Sequence, residues 1–243
     1  MPPFVGAFFL CASAVASLRE FASVKLVKKV LLAWSSGKDS AWTLHALRRQ
    51  NIEVSLLLTT LNEAADRVAM HGVRGSLLQQ QADAIGLPVW QIPLPWPCTN
   101  EEYEARLADA CRRAVVEGFG TIAFGDLFLQ DVRAYRERQL TGSGLTPVFP
   151  LWELPTAILA RDMIAGGLRA RLSCIDSRVL DASFAGREFD CALLSALPES
   201  ADPCGENGEF HTFVYDGPMF RQPLAIATGE VRNVDGFIYT DLL

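Results

Sequence analysis

Four short apolar runs, each followed by a turn and a helix-spaced segment, restrict the fold of this chain more than any other feature. Val30-Leu31-Leu32-Ala33-Trp34 is apolar throughout, and Val54-Ser55-Leu56-Leu57-Leu58-Thr59 nearly so. Pro88-Val89-Trp90-Gln91-Ile92 and Thr121-Ile122-Ala123-Phe124 read as a third and a fourth strand. A strand with no polar face is covered on both sides, as in a parallel sheet wrapped by helices. Between the runs, Ala41, Leu44 and Leu47 fall at helical spacing, and a helix is predicted from about Val73 to Ile85, stopping at Gly86. Thr99 and Glu102 form a capping-box pattern for a long helix ending near Gly118. Such alternation with short loops means βαβ units joined by right-handed crossovers.

Pro147 and Pro150 mark a change of character, so a soft boundary is expected near residue 150. The expected division is one unit over 26–150 and a second, smaller one over 151–243. In the second unit a helix is predicted near Ile158–Ala165 and a strand near Arg169–Ile175. "EFHTFVYDGPMF" and "LAIATGEVRNVDGFIYTDLL" read as antiparallel strands, with turns at Asp216-Gly217 and Val234-Asp235-Gly236. The first 25 residues are treated as an extension outside the core. Their apolar stretch is too short and too rich in small residues for a convincing membrane span, and no lysine or arginine precedes it as a secretory signal would require. Translation beginning near Val24 explains it better than export does.

With 243 residues, half of them hydrophobic and 21% charged, the chain has the composition of an ordinary globular protein. A formal charge of −6 argues against a broad basic surface for nucleic acid, although one local basic groove remains open. The cysteines at 11, 98, 111, 174, 191 and 204 form no CxxC pair. They read as reduced, packed thiols of a cytoplasmic protein, not as zinc ligands. A homodimer is compatible with the sequence.

The junction Ser35-Ser36-Gly37-Lys38-Asp39-Ser40 follows the first strand and opens the first helix. In an open parallel sheet, ligands sit beyond the carboxyl ends of the strands, and a helix N-terminus there favours an anion. The serines add hydroxyl donors, and Gly37 lets backbone approach closely. A Walker P-loop does not fit, because Leu32 stands where its first glycine belongs and Asp39 follows Lys38. A serine-rich helix cap would account for the serines and glycine, but it needs neither the lysine nor the aspartate.

Ser36-Gly37-Lys38-Asp39-Ser40 resembles the PP-loop of N-type ATP pyrophosphatases, usually S-G-G-x-D-S, with Ser36 in place of the first glycine. Three further segments narrow the resemblance. They are Asp66-Arg67 with His71-Gly72-Val73, Gly125-Asp126 with Asp131, Arg133 and Arg136, and Cys204-Gly205-Glu206 through Asp216-Gly217-Pro218. Together they resemble the diphthine–ammonia ligase family, and more closely its prokaryotic members, over nearly all of residues 26–221. The segment Gly205 to Thr212 is its most specific part.

The resemblance implies an α/β fold: a Rossmann-like, HUP-type, doubly wound parallel sheet of about five strands with a smaller C-terminal α+β domain. It implies ATP as substrate, Mg²⁺ as cofactor, and ammonia or another nitrogen donor as co-substrate. The acceptor is an unidentified carboxylate on a small molecule or a protein, turned over with release of AMP and pyrophosphate. By the same resemblance Ser35, Ser36, Gly37, Lys38, Asp39, Ser40, Leu57, Leu58, Thr59, Gly125 and Asp126 bind ATP, and Asp39 and Asp126 hold the metal. Lys38, Asp39, Glu206, Glu209 and His211 are the catalytic candidates; Asp66, His71, Asp131, Arg133 and Asp216 are the acceptor candidates. Plain structural roles stand beside these: core for Leu57 and Leu58, solvated turn for Glu206 and Glu209, cap or turn for Asp66 and His71, and solvated helix face for Arg136. Two other functions are compatible with the loop, a tRNA-modifying PP-loop enzyme and an ATP-holding sensor without turnover.

Overall fold

The structure, a computed structural model, describes residues 29–243. The sequence readings for residues 1–25 and for the start near Val24 lie outside the described residues. The chain opens with strand β1 (Lys29–Ala33), helix α1 (Lys38–Arg49) and strand β2 (Val54–Asn62). A two-residue strand β3 (Arg67–Val68), helix α2 (Gly75–Ile85) and strand β4 (Val89–Leu94) follow. Helix α3 (Asn100–Val116), strand β5 (Phe119–Ala123), helix α4 (Gln130–Leu140) and strand β6 (Thr146–Val148) complete the first sheet.

Five of its strands run parallel in the order β4-β2-β1-β5-β6, with β3 adding a short antiparallel pairing to the end of β2. This is the doubly wound HUP-type sheet. The chain works outward from β1 to β4, then returns to β5 on the other side, so the switch point lies between β1 and β5. Residues of β1 alternate between two cores: Val30 and Leu32 face α1 and α2, while Leu31 faces the side carrying α3. That double coverage is why the run carries no polar residue. Leu31 and Leu32 are fully buried, each contributing about 1.5–3 kcal/mol by burial.

Local signals set most element ends. Thr99 caps α3 with the predicted capping box, its Oγ1 accepting from the Glu102 amide while the Thr99 amide donates to the Glu102 carboxylate. Gly86 ends α2 in the left-handed region at φ 76°. The fifth parallel strand was hidden by its proline: Pro147 lies opposite Ile122 in β6. Proline is tolerated there because β6 is an edge strand with one side free of ladder bonds.

After helix α5 (Thr156–Ala165) come strand β7 (Arg169–Asp176), helix α6 (Cys191–Ala196) and strands β8 (Phe210–Asp216), β9 (Thr228–Val234) and β10 (Phe237–Leu242). They form a separate antiparallel sheet in the order β8-β7-β10-β9. Asp235 and Gly236, at φ 51° and 86°, make the two-residue turn between β9 and β10, as a primed hairpin turn requires. The turn at Asp216-Gly217 ends β8 but leads away, since β8 pairs with β7 and β9 lies on the opposite edge. Phe210, Phe213 and Val214 of this sheet share one continuous core with α1 and α2. Among the described residues, no helix is long and apolar enough to cross a membrane.

Candidate functional site

A cleft of about 420 Å³ opens at the carboxyl ends of β1, β2 and β5. Its wall at the switch point is the loop Ser35–Ser40. Ser36 adopts φ 70°, a region where a residue with a side chain costs about 1–3 kcal/mol unless its surroundings hold it. Here they do. The Ser36 carbonyl accepts from the Val214 amide at 3.0 Å and from Gln81 Nε2 at 3.1 Å. Gln81 is itself oriented by Trp34, whose indole N–H donates to Gln81 Oε1 at 3.0 Å. Gly37 fits because His71 covers it: a Cβ there would lie 2.7 Å from the His71 ring.

Helix α1 therefore starts at Lys38 with no side-chain cap from Gly37, which leaves amides of its first turn for an anion. The Lys38 amide is taken, donating to Thr212 Oγ1 at 3.0 Å. Ser40 Oγ bonds the Gly37 carbonyl at 2.9 Å and lies 3.3 Å from Ser35 Oγ, bracing the turn from within. Two polar atoms of the loop stay buried without a hydrogen-bond partner among the described residues: Ser36 Oγ and Asp39 Oδ1.

Lys38 is buried beneath the loop. Its ammonium donates to Asp39 Oδ2 at 2.8 Å and to the Cys204 carbonyl, and lies 5.4 Å from the Phe210 ring centre. Burial pulls the Lys38 pKa down most strongly, but Asp39, with smaller contributions from Cys204 and Glu206, outweighs it, so the ammonium is held above its ordinary range. Burial pushes Asp39 up, against the pull of Lys38. The pair holds the Lys38 ammonium at a fixed place beneath the loop.

The far wall comes from the segment 202–209, folded around two carboxylates. Glu209 Oε1 accepts from the Asp202 amide and from Asn207 Nδ2, and its Oε2 from the Asn207 amide. Asp202 Oδ2 accepts from the amides of Cys204 and Glu206. This wrapping delivers the Cys204 carbonyl to Lys38 and the Glu206 side chain to the cleft. Glu206 accepts from the Leu127 amide at 2.7 Å, and burial raises its pKa to about 7.

His71 and His211 also line the cleft, with ring centres 4.7 Å apart. His71 Nδ1 lies 3.0 Å from the Thr212 carbonyl; since a carbonyl only accepts, Nδ1 carries the proton. Burial, reinforced by His211, lowers the His71 pKa to about 3, and burial with the nearby Lys38 lowers His211 to about 4. Both rings are neutral at pH 7.

Of the sequence candidates, the cleft brings together Ser35, Lys38, Asp39, Ser40, Leu58, Thr59, Gly125, Asp126, His71, Glu206 and His211. Ser36 and Gly37 shape the loop behind them. Leu57 is fully buried and belongs to the core. Glu209 holds the 202–209 turn and does not line the cleft. Asp66, at φ 49°, packs against Gly75 at the start of α2, and its carbonyl accepts from the Gly75 amide. Asp131 is exposed in the first turn of α4, and Asp216 closes the turn after β8 by accepting from the Gly217 amide.

The two arginines of α4 exchange their expected places. Arg133 pairs with Glu137 at 2.8 Å and stacks over Phe149 and Trp152, whereas Arg136 lines the cleft. Arg136 holds both oxygens of Asp126 at 2.5 and 3.0 Å, over the face of Phe124. Asp126 is thus engaged, while Asp39 keeps an unpartnered oxygen. No group of three or more potential metal-ligating side chains occurs among the described residues. A magnesium ion that takes one carboxylate and otherwise phosphate oxygens fits Asp39. Sequence reasoning passed over Gln81, which distant segments recruit, Tyr103, which lines the cleft, and Asp202, which caps its own turn by accepting from the Cys204 and Glu206 amides.

The sheet order, the switch-point loop and the buried lysine define a HUP-class α/β nucleotide-binding fold. Comparison with known proteins narrows this. The diphthamide synthase N-terminal domain matches residues 28–147 and the diphthamide synthase C-terminal domain residues 156–240. The chain belongs to the diphthamide synthase family. A diphthine–ammonia ligase of Schizosaccharomyces pombe is 23% identical over 222 residues, covering 84% of this chain and 37% of that protein. A diphthine–ammonia ligase of Rattus norvegicus is 30% identical over 100 residues, 38% of this chain and 38% of that protein. The chain thus matches well under half the length of either relative.

Proposed function

We propose that this chain is an ATP-dependent ligase of the diphthine–ammonia ligase type, which activates a carboxylate with ATP and converts it to an amide. The observation that carries the reading is the pair of unpartnered polar atoms, Ser36 Oγ and Asp39 Oδ1, in a loop backed by the buried Lys38 ammonium. Buried polar atoms without partners are costly, and a polyphosphate with its counter-ion would satisfy both.

In this reading the acceptor carboxylate attacks the α-phosphorus of ATP, the α,β bond breaks and pyrophosphate leaves into the loop. Lys38 and the free amides of α1 oppose the charge that builds there, held in place before the reaction begins. Asp39 would hold Mg²⁺, which supplies further charge neutralisation at the phosphates. Ammonia then attacks the activated carbonyl and AMP departs. Glu206, with its pKa near 7, is matched to take the proton that the attacking nitrogen loses. Glu209 and Asp202 are positioning residues for Glu206.

The test is a product analysis by phosphorus NMR of ATP incubated with the protein, Mg²⁺, ammonium and a cell extract. AMP with pyrophosphate, growing with added ammonium, is the expected result. ADP with phosphate would overturn the reading, and ATP bound without any product would leave a nucleotide sensor in its place.

A further inference from the structure

Between β2 and α2 the chain makes a narrow loop whose neck is closed by Arg67 and Arg74, facing each other as an antiparallel bridge. Beyond the neck the Val68 amide donates to the Val73 carbonyl at 2.7 Å, and the Gly72 amide to the Val68 carbonyl at 3.0 Å. The tip, Val68 to His71, lines the nucleotide cleft, and the His71 ring covers Gly37. Loops that form a cleft wall belong to the less stable parts of a fold unless something ties them down.

Here the tie comes from β10. Asp241 Oδ1 accepts from Arg67 Nη1 at 2.9 Å and from Arg74 Nε at 3.0 Å, and Oδ2 accepts from Arg74 Nη2. One carboxylate therefore holds both sides of the neck. The same Arg67 Nη1 donates to the Gly72 carbonyl at 2.7 Å, next to His71 in the chain. Tyr239, also on β10, packs under Gly72, where a Cβ would lie 2.8 Å from the ring. Hydrogen bonds from Arg74 and then Arg67, working against burial, hold the Asp241 carboxyl at about 2, so it stays ionised.

We infer that Asp241 is a positioning residue for the nucleotide cleft: through Arg67 and Arg74 it fixes the neck of this loop, and with it the place of His71 over Gly37. Strand β10 itself lends no residue to the cleft lining. The contacts run from Asp241 to Arg67, 174 residues earlier in the chain, then to the Gly72 carbonyl and on to His71. Their effect is read at the His71 ring. Its Nδ1 reaches the Thr212 carbonyl at 3.0 Å only while the tip is held at this height, and that bond decides which ring nitrogen carries the proton.

The experiment compares the full chain with Asp241→Asn, which keeps the shape of the side chain and gives up its charge. Asp176→Asn is the control, since Asp176 is a carboxylate of the same sheet, gripped by Arg178 and outside the cleft lining. Nitrogen NMR of the histidine rings at pH 7 reads the tautomer of His71. Initial rates with saturating ATP, Mg²⁺, ammonium and a cell extract read AMP formation. The wild type and Asp176→Asn are expected to keep the His71 proton on Nδ1. Asp241→Asn is expected to exchange between both tautomers and to form AMP on the order of tenfold more slowly. Should Asp241→Asn not fold, Arg74→Gln removes two of the three hydrogen bonds to the carboxylate from a half-exposed position and is judged by the same two readings. A proton that stays on Nδ1 in the variant, or AMP formation at the wild-type rate, overturns the inference. The rate measurement rests on the ligase reading above. No AMP from the wild type removes that reading, and the ring signal then decides the role of Asp241 by itself.

Discussion

The Cα of Gly125 packs directly on the backbone of Asp39: a methyl group at 125 would lie 2.9 Å from the Asp39 carbonyl carbon and 3.0 Å from the Ser40 amide nitrogen. Neither neighbour is a flexible side-chain end, so the end of β5 and the nucleotide loop would have to part. Gly125→Ala is expected to cost about 1–3 kcal/mol of stability. Because about 1 Å of misplacement can cost a hundredfold in rate, it should also depress ATP turnover far more than it depresses folding. A urea melt and initial rates of AMP formation on the same sample test this; wild-type turnover in the variant would contradict the packing argument.

Lys38 and Asp39 form a largely buried pair, so removing one partner strands the other. Lys38→Ala should lose at most about 3–5 kcal/mol, less where water reaches Asp39. The double variant Lys38→Met, Asp39→Asn should recover most of that stability while forming no AMP. Equal melting curves for the single and double variants would mean that the pair is not coupled.

Glu206 gives a signed pH dependence. Its folded pKa of about 7 lies above the ordinary 4.5, so between those values the unfolded chain has released a proton that the folded protein keeps. Stability therefore falls as pH rises from about 4.5 to 7, and Glu206→Gln removes that slope. The gain for the variant above pH 7 should be about 1–2 kcal/mol after allowance for solvent screening. Its AMP formation should lose the alkaline rise that the wild type shows around pH 7. Denaturant midpoints and initial rates from pH 5 to 8 measure both effects.

The histidine pair acts in the opposite direction. With folded values of about 3 and 4 against an ordinary 6.5, His71 and His211 contribute stability above pH 6.5 that is lost as pH falls through their folded values. The variant His71→Asn, His211→Asn should show a shallower acid decline between pH 6.5 and 4. An unchanged slope would mean that the rings are solvated and titrate normally.

Much of this architecture was legible because the deciding signals are local. The uninterrupted β1 run reported a strand covered on both faces, Thr99 with Glu102 reported a capped helix, and Asp235-Gly236 reported a hairpin. Pro147 misled because proline reads as a breaker, and only its edge position makes it a strand residue. In the loop, the residue types pointed to an anion, but nothing local shows that Lys38 is buried against the Cys204 carbonyl. Arg133 and Arg136 share a helix face by spacing alone; which one meets the cleft depends on Phe149 and Trp152 drawing Arg133 aside. Glu209 was visible as a carboxylate in a glycine-punctuated segment, yet its role follows from three N–H groups that the fold brings to it.

The loop after β1 is held by partners made much later: the Lys38 amide bonds Thr212, 174 residues further on, and its ammonium bonds the carbonyl of Cys204. A ribosome therefore releases the nucleotide loop long before it synthesises the strand that sets its shape. Nascent chains and fragments that stop before Cys204 would carry Ser36 and Lys38 without these restraints. On the proposed function, competence to handle ATP would then come late in synthesis, and incomplete chains would not spend nucleotide.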